Sequence, residues 1–212
     1  MYTPKHFQEH DEVVLFALLE QYPFASLITY SDSGIEVNHI PFYLQQKEDR
    51  KVLLGHIAKG NPLWKNIQEG SQVLVIFNGP NCYISPNYYP SKQENGRAVP
   101  TWNYVAVHVK GNMQYLHDDK KKLAIVNELT NLHEANQKTP WSVSDAPSIY
   151  IEKMLPAIVG IEIEITSLVG KWKVSQNQPE KNQQGVITGL LSEADLNSLT
   201  MAEIIKENQR SQ

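Results

Sequence analysis

Two long stretches of the chain alternate between apolar residues and others, and this alternation limits the possible folds more than any other feature. In residues 99–111 the apolar set consists of Val105, Val107 and Val109. In residues 157–169 isoleucines alternate with Glu162, Glu164 and Thr166. A period of two residues belongs to a β-strand with one buried and one solvated face, so each stretch predicts a strand.

The second face of the first strand is unusual. It carries Trp102, Tyr104, Ala106 and His108. This set is neither a plain core face nor a plain solvent face, and the alternation alone leaves open what it contacts.

The first part of the chain predicts a helix, a hairpin and further strands. A helix is expected over residues 11–22, because acidic residues begin it and Pro23 follows it. Two apolar runs separated by a turn that ends in Gly34 predict a β-hairpin. A third run covers residues 52–57, and residues 72–78, apolar on both parities, predict a strand at the centre of the sheet.

Two segments that connect the predicted strands are expected to differ in structure. Residues 61–70 predict a short helix, which Asn61 can cap and Gly70 can end. Residues 79–97 are rich in Gly, Pro, Asn and Tyr and predict a mostly irregular loop, with a short strand at residues 82–85 as an alternative.

The second half of the chain predicts further helices. One should begin at Asp118 or Asp119 and carry an apolar stripe of Leu123, Val126, Leu129 and Leu132. Residues 177–185 predict a polar loop. Two helix starts of the capping-box type are expected after it, at Ser192 with Asp195 and at Thr200 with Glu203.

The order of these elements sets the fold class. The strands follow one another as hairpins rather than in regular alternation with helices, which favours a mainly β protein with helices around an antiparallel sheet or small barrel. A doubly wound parallel fold is disfavoured. No strand is followed by a glycine-rich dinucleotide or phosphate-loop motif.

Composition narrows the class of protein. The 212 residues are 41% hydrophobic, enough for a sizeable core, and carry a formal net charge of -4. That charge gives no global attraction to DNA, so any DNA contact needs a local patch. One cysteine, no signal-like start and no long apolar run predict a cytoplasmic protein without a membrane segment.

Few residues suggest catalytic or metal chemistry. His39, His56 and His108 lie on or near predicted strands, but none has a local partner at metal-ligand spacing, so no metal site is predicted. The lone Cys82 has no basic neighbour in sequence, and the nucleophile motif GxSxG is absent. The sequence assigns no catalytic residue.

Two polar segments could bind a ligand. In GHIAKGNP, residues 55–62, a strand leads through Lys59 into a helix start, which suits a phosphate but equally describes an ordinary turn. In the segment beginning LVGKWKVSQN, hydrogen-bond donors gather beside Trp172 and could hold a flat polar ring, or form a solvated loop.

Five blocks occur in the order and spacing of one known family, the PaiB-type FMN-binding proteins. They are NHIPF, GHIAKGNPLW, VLVIFNGPNCYISPNYYPSK, VPTWNYVAVHVKG and KVSQNQPEKNQQGVITGL. The chain resembles this family over about its whole length. The resemblance implies an antiparallel FMN-binding split β-barrel with flanking helices, usually a homodimer with FMN at the subunit interface.

The resemblance also implies a domain division and a cofactor site. Residues 1–170 would form the barrel, and residues 171–212 a polar loop and helices that pack on the barrel or on the dimer partner, all within one structural unit. The implied FMN-binding residues are Asn38, His39, His56, Lys59, Asn61, Trp102, Tyr104, Lys173, Ser175 and Gln176. The first five surround GHIAKGNP and the FMN phosphate, whereas the others belong to the aromatic strand face and the KVSQN turn.

Two positions depart from the family pattern, which often has arginine where Lys59 and Gln178 stand. Lysine keeps a positive charge but lacks the two-pronged fork with which arginine holds a phosphate.

Two functions follow as expectations. The family name attaches to negative transcriptional regulators of sporulation and degradative-enzyme genes, so the resemblance implies a repressor that binds DNA. The alternative is an FMN-dependent oxidoreductase or flavin reductase acting on an unidentified small molecule, in which the flavin carries the electrons.

Overall fold

The computed structural model describes residues 1–210, apart from the side chain of Asn95. The strands are β1 (Gln8–Glu9), β2 (Phe24–Ser31), β3 (Gly34–Pro41), β4 (Tyr43–Lys47), β5 (Arg50–Ala58), β6 (Gln72–Ile84), β7 (Thr101–Leu116) and β8 (Ile158–Lys173). The helices are α1 (Glu12–Gln21), α2 (Leu63–Asn66), α3 (Ser91–Asn95), α4 (Asp119–Glu134), α5 (Ser148–Met154), α6 (Glu180–Glu193) and α7 (Leu196–Arg210). None of these helices is long and apolar enough to cross a membrane.

The strands form one sheet in the order β3-β2-β6-β7-β8-β5-β4, with β1 paired to β8. The pairs β1–β8, β2–β3, β2–β6, β4–β5 and β5–β8 are antiparallel. β2 and β3 form the predicted hairpin, and Gly34 supplies its turn with a φ of 108°, which only glycine adopts easily. The predicted antiparallel sheet with flanking helices is confirmed.

β7 is the central strand of this order. Its residues Val105, Val107 and Val109 are at most 1% exposed, which confirms the predicted buried face, whereas Trp102 on the other face is 53% exposed. The strand predicted at the centre, residues 72–78, lies in β6 beside β7. The other face of this strand, which includes Leu74, is only half-buried. The prediction that both faces are buried was therefore wrong for this face.

The chain divides into two compact units. The first unit comprises Met1–Leu15, Asn78–Val107 and the chain from Val169 onward, and the second comprises Phe16–Phe77 and His108–Leu168. In the first unit α6 and α7 bury Val186, Ile187, Leu190, Met201 and Ile205. In the second, the core cluster consists of Tyr43, Val52, Leu54, Ile125 and Leu129. The boundary expected between residues 170 and 171 stays a prediction.

β6 is longer than the sequence suggested. Residues 79–84 belong to it, so the loop prediction was wrong there and the alternative of a strand was too short. Gly79 and Pro80 suggested a break, yet the period of two continues past them, since Cys82 and Ile84 are buried. Burial and the nearby Asp195 raise the pKa of the Cys82 thiol to about 12.

The buried stripe of α4 differs from the predicted one. The helix starts as expected, because the Asp118 side chain accepts a hydrogen bond from the Lys121 amide at 3.0 Å. However, the helix buries Ile125, Leu129 and the stem of Lys122, while Leu132 is exposed. Lys122 is tolerated in the core because its ammonium has two partners at 2.8 Å. They are the Leu155 carbonyl, which is remote in sequence, and the Asp119 carboxylate one helical turn earlier.

The face of β8 predicted to be solvated is partly buried. Glu162 is only 7% exposed, because Lys47 of β4 covers its carboxylate at 2.5 Å. Arg50 bonds the next carboxylate on this face, Glu164, at 3.0 Å. Opposite charges from the neighbouring hairpin therefore replace water on this face.

The C-terminal helices start elsewhere than predicted. Residues 180–185, predicted as loop, form the first turns of α6, and both capping-box predictions were wrong. Ser192 and Thr200 lie inside helices and donate to the carbonyls of Gly189 and Leu196. Asp195 caps α7 instead, accepting from the Ser198 amide at 3.1 Å.

Alanine at Gly111 is expected to destabilise the second unit. A Cβ there would lie 2.4 Å from the Glu164 carbonyl oxygen and 2.5 Å from Ile163 Cγ2. Overpacking of this kind costs about 1–3 kcal/mol, which denaturant unfolding would measure. Gly60→Ala is the control, because its Cβ would meet no atom within 4 Å. An equal loss in both variants would contradict close packing as the cause.

Candidate functional site

The first group of predicted site residues surrounds the end of β5, in the second unit. We call Asn38, His56, Lys59 and Asn61 the β5 site. After β5 the chain turns sharply, since the Lys59 amide donates to the Ala157 carbonyl at 2.8 Å and the Asn61 amide to that of Ala58 at 2.9 Å. The strand-to-helix turn expected from GHIAKGNP is confirmed.

Asn61 joins two parts of the β5 site. Its Nδ2 donates to Asn38 Oδ1 at 2.6 Å, and its Oδ1 accepts from the Leu63 amide at 2.9 Å. The predicted hydrogen bond between Asn61 and the helix start is therefore present, although α2 begins at Leu63 with Pro62 at the N-cap and ends at Asn66, well before Gly70. α2 is only four residues long, so its dipole is small and a phosphate here would depend mainly on side-chain charge.

His39 does not join this group. Neighbouring residues of a strand point to opposite faces, and the His39 ring hydrogen-bonds Ser26 at 3.1 Å on the face away from Asn38. Its ring also lies 6.1 Å from that of Phe24. Its predicted part in cofactor binding stays a prediction.

His56 is the residue of the β5 site whose hydrogen bonding is incomplete. Its Nδ1 is buried and has no hydrogen-bond partner among the residues that the structure describes. Burial also lowers the pKa of the imidazole below its ordinary value. Since a buried polar atom without a partner is costly, this nitrogen is suited to bonding a ligand.

The second group of predicted site residues lies in the first unit, around the end of β8. The Lys173 ammonium donates to Thr101 Oγ1 and to the Trp102 carbonyl. Burial and the neighbouring Lys171 lower the pKa of Lys173. The Lys171 ammonium lies 5.1 Å from the Tyr104 ring centroid, so one cation lies over this aromatic side chain of β7.

The KVSQN turn is held by its own side chains. Ser175 has a φ of 65°, and its hydroxyl accepts from Asn103 Nδ2 at 2.9 Å. Gln176 bonds the Val174 amide and the Trp172 carbonyl. Gln178 continues the turn into α6 by accepting from Asn182 at 3.1 Å.

Sequence reasoning missed Asn103, which is 1% exposed and fixes Ser175. The sequence did contain a signal for Asn103, because this residue is polar but belongs to the same alternating set of β7 as the buried valines. Beside it, Trp102 and Tyr104 line a cavity of about 280 Å³ together with Asn78, Gly79, Asn81 and Val105. Lys173 bonds the Trp102 carbonyl, and Trp102 and Tyr104 line the same cavity, but the contact of these three residues with a cofactor stays a prediction.

The described part of the chain contains no group of side chains that could bind a metal ion. Across residues 1–210, no three His, Cys, Asp or Glu side chains lie together in a group that could hold a metal ion.

Comparison with known proteins identifies the family to which the chain belongs. The family described as "Putative FMN-binding domain" matches residues 1–167. The chain belongs to this FMN-binding family. It is also 31% identical to protease synthase and sporulation protein PAI 2 of Bacillus subtilis, with both chains covered completely. The resemblance to PaiB-type proteins is therefore confirmed, and FMN is the cofactor of the family to which this chain belongs.

Two further proteins are similar to this chain over most of its length. An uncharacterized protein of Emericella nidulans is 33% identical, with 92% of each chain covered. The structure of the FAD and heme binding protein from Mycobacterium smegmatis superposes with a TM-score of 0.59 at 16% identity, covering 86% of this chain and 80% of that one. At that identity the likeness concerns the fold, which is the split β-barrel of flavoproteins.

The β5 site fits the FMN phosphate in the chemistry of its donors. Lys59 supplies an exposed cation, His56 has an unpartnered buried nitrogen, and the space beside Gly60 is open. Lys59 would therefore hold the phosphate, with His56 as a further hydrogen-bonding group, while Asn38 and Asn61 fix the turn. The flavin, when bound, supplies reversible electron transfer.

Lys59→Ala should weaken FMN retention, because it removes the charge nearest the β5 turn. We expect about a tenfold loss of affinity, as for other charge-assisted phosphate contacts. The measurement is the flavin absorbance that remains after incubation with FMN and desalting. Lys65→Ala on α2 is the matched control, and equal losses in both variants would place the phosphate elsewhere.

The His56 imidazole should titrate below the ordinary histidine pKa of about 6.5. Below that pH the unfolded chain takes up a proton that the folded chain does not, so stability falls as pH drops from 6.5 toward the folded pKa. NMR of the His56 Hε1 resonance, assigned with His56→Gln, measures the midpoint.

Added FMN should raise that midpoint, because a nearby phosphate favours the imidazolium. A midpoint that is unchanged by saturating FMN would separate His56 from the phosphate.

Proposed function

We propose that this chain is an FMN-binding transcriptional regulator of the PaiB type that acts in the cytoplasm as a homodimer. The observation that carries the proposal is the full-length 31% identity to the Bacillus subtilis protein named for protease synthesis and sporulation. Identity along the whole chain includes the C-terminal helices α6 and α7, which lie beyond the residues matched by the FMN-binding family.

An exposed apolar surface supports the homodimer. On one face of the β2–β3 hairpin, Phe24, Tyr30, Ile35 and Val37 are 68%, 76%, 73% and 50% exposed. Tyr30 pairs with Ile35 across the hairpin and Val37 follows Ile35 on the same face, so these three side chains are contiguous, whereas the Ser26–His39 pair separates Phe24 from them. Contiguous apolar patches on a strand at the end of a sheet mark protein contacts, and a second copy is the partner proposed for this one.

DNA binding by this chain has to use a local surface, because the formal net charge is -4. A dimer doubles any basic patch and presents it twice, which suits a palindromic operator. FMN would then serve as a bound signal whose redox state the regulator reports.

Selection from a random duplex library should therefore enrich a specific DNA sequence. Its binding should weaken steeply as salt rises, because phosphate contacts release counterions. The double variant Tyr30→Glu/Ile35→Glu should lose this binding and shift the mass measured by light scattering from about twice 24.1 kDa to the monomer. A Gln45→Glu/Gln137→Glu variant adds the same two negative charges at exposed positions outside the hairpin, and it should keep both properties.

The alternative function, a flavin-dependent enzyme, predicts a different experimental result. Steady oxidation of NADH or NADPH by the FMN-loaded protein, without enrichment of any DNA sequence, would overturn the regulatory proposal in favour of a flavin-dependent oxidoreductase.

A further inference from the structure

A second cavity in the first unit is lined by aromatic rings and carboxylates. It has a volume of about 390 Å³, and the residues that give it its character are Tyr83, Tyr88, Trp102, Glu193 and Asp195. We call it the aromatic groove. It lies outside the β5 site. Of the residues that give it its character, only Trp102 also belongs to the FMN site that the family resemblance implies, and Trp102 lines both this groove and the cavity beside Tyr104.

Two rings of the groove stand at a steep angle and remain open to solvent. The centroids of Tyr83 and Trp102 are 6.2 Å apart with 72° between the ring planes. Tyr83 is 49% exposed and Trp102 53%. In this edge-to-face arrangement the edge of one ring lies toward the face of the other, and the exposed part of each ring leaves negative π-surface open, over which an organic cation can lie.

Two carboxylates of the groove are fixed by the fold. Glu193, the last residue of α6, accepts from the Tyr88 hydroxyl at 2.7 Å. Asp195, which caps α7, accepts from the Ser198 amide, and hydrogen bonds to Ser198 lower its pKa. Ala194 between them has a φ of 56°, so a tight turn sets both side chains. Their negative charges are therefore held beside the rings.

The groove contains no compensating positive charge in the described part of the chain. None of the described residues that line it is a lysine, an arginine or a histidine. Anionic ligands are repelled by such a lining, and two carboxylates beside aromatic rings are too few for a dedicated metal cage. The complementary occupant is an organic cation.

We propose that the aromatic groove binds a small organic cation of the methylated-ammonium class. Its charged head lies against the Tyr83 and Trp102 rings, and Glu193 and Asp195 balance its charge. Methylated ammonium fits better than a bare ammonium, because its spread charge and apolar methyl groups match ring faces. The proposal is independent of DNA binding and adds an effector site to the protein.

Choline and its neutral carbon isostere, 3,3-dimethylbutan-1-ol, test the proposal on the full chain. The two probes share size and shape, so only the charge differs. We expect choline to bind at least about fivefold more tightly, in line with a surface cation–π contact. Its N-methyl proton resonance should also move upfield on binding, since ring currents shield groups that lie over aromatic faces.

Three variants locate the site. Trp102→Leu should weaken choline about fivefold, and Trp102→Phe should restore part of the binding because it returns a ring. Glu193→Gln keeps an acceptor for Tyr88 but removes the charge, and about a threefold loss is expected. Glu203→Gln, the same charge change on the exposed side of α7, is the matched control and should bind like the parent.

Several results would overturn the proposal. Equal affinity for the neutral alcohol would show that charge is not recognised, and equal losses in Glu193→Gln and Glu203→Gln would reduce the effect to overall charge. An unchanged upfield shift in Trp102→Leu would place choline elsewhere. FMN retention and circular dichroism of the same variants separate these outcomes from loss of the flavin or of the fold.

Discussion

The burial of one face of β7 is the constraint on which the rest of the structure depends. Val105, Val107 and Val109 have almost no contact with solvent, and β7 stands at the middle of the strand order. A shift of register by one residue would exchange these valines with Trp102, Tyr104 and His108. The apolar set therefore decides both what fills the interior and which side chains are left on the functional face.

In the β5 site some polar residues fix the turn, and another has hydrogen-bonding capacity left for a ligand. Asn38 and Asn61 satisfy each other and the start of α2, so they fix the turn and have little bonding capacity left. His56 has a buried nitrogen to which no group in the described part of the chain forms a hydrogen bond. A site prepared in this way has rigid surroundings and an incomplete centre, which is the arrangement expected where a ligand completes the bonding.

The sequence predicted those features that rest on local periodicity and turn chemistry. The β2–β3 hairpin, the start of α4 and the hydrogen bond between Asn61 and the helix start follow from patterns a few residues long, and all three are confirmed. The prediction was wrong where a distant partner changes the role of a residue. Glu162 is covered by Lys47, and Lys122 bonds the Leu155 carbonyl in addition to its local ion pair with Asp119; a local pattern contains neither Lys47 nor Leu155.

The same distinction applies to the candidate site. GHIAKGNP marked the β5 turn correctly because a strand, a cation and a cap follow one another directly. Asn103 was missed because its partner, Ser175, lies 72 residues further along the chain. His39 and Asn38 are adjacent in sequence but lie on opposite faces, so proximity along a strand was a poor guide to proximity in space.

The burial of Cys82 gives the protein a built-in reporter of its own opening. The chain has one cysteine, and its thiol is both covered and held in the protonated form by a pKa of about 12. Thiol reagents attack the thiolate, so in the closed state this sulfur is inert. Labelling at Cys82 is therefore expected to be slow in the folded protein and much faster in molecules in which β6 has separated from its surroundings, so its rate follows that opening without any engineered probe.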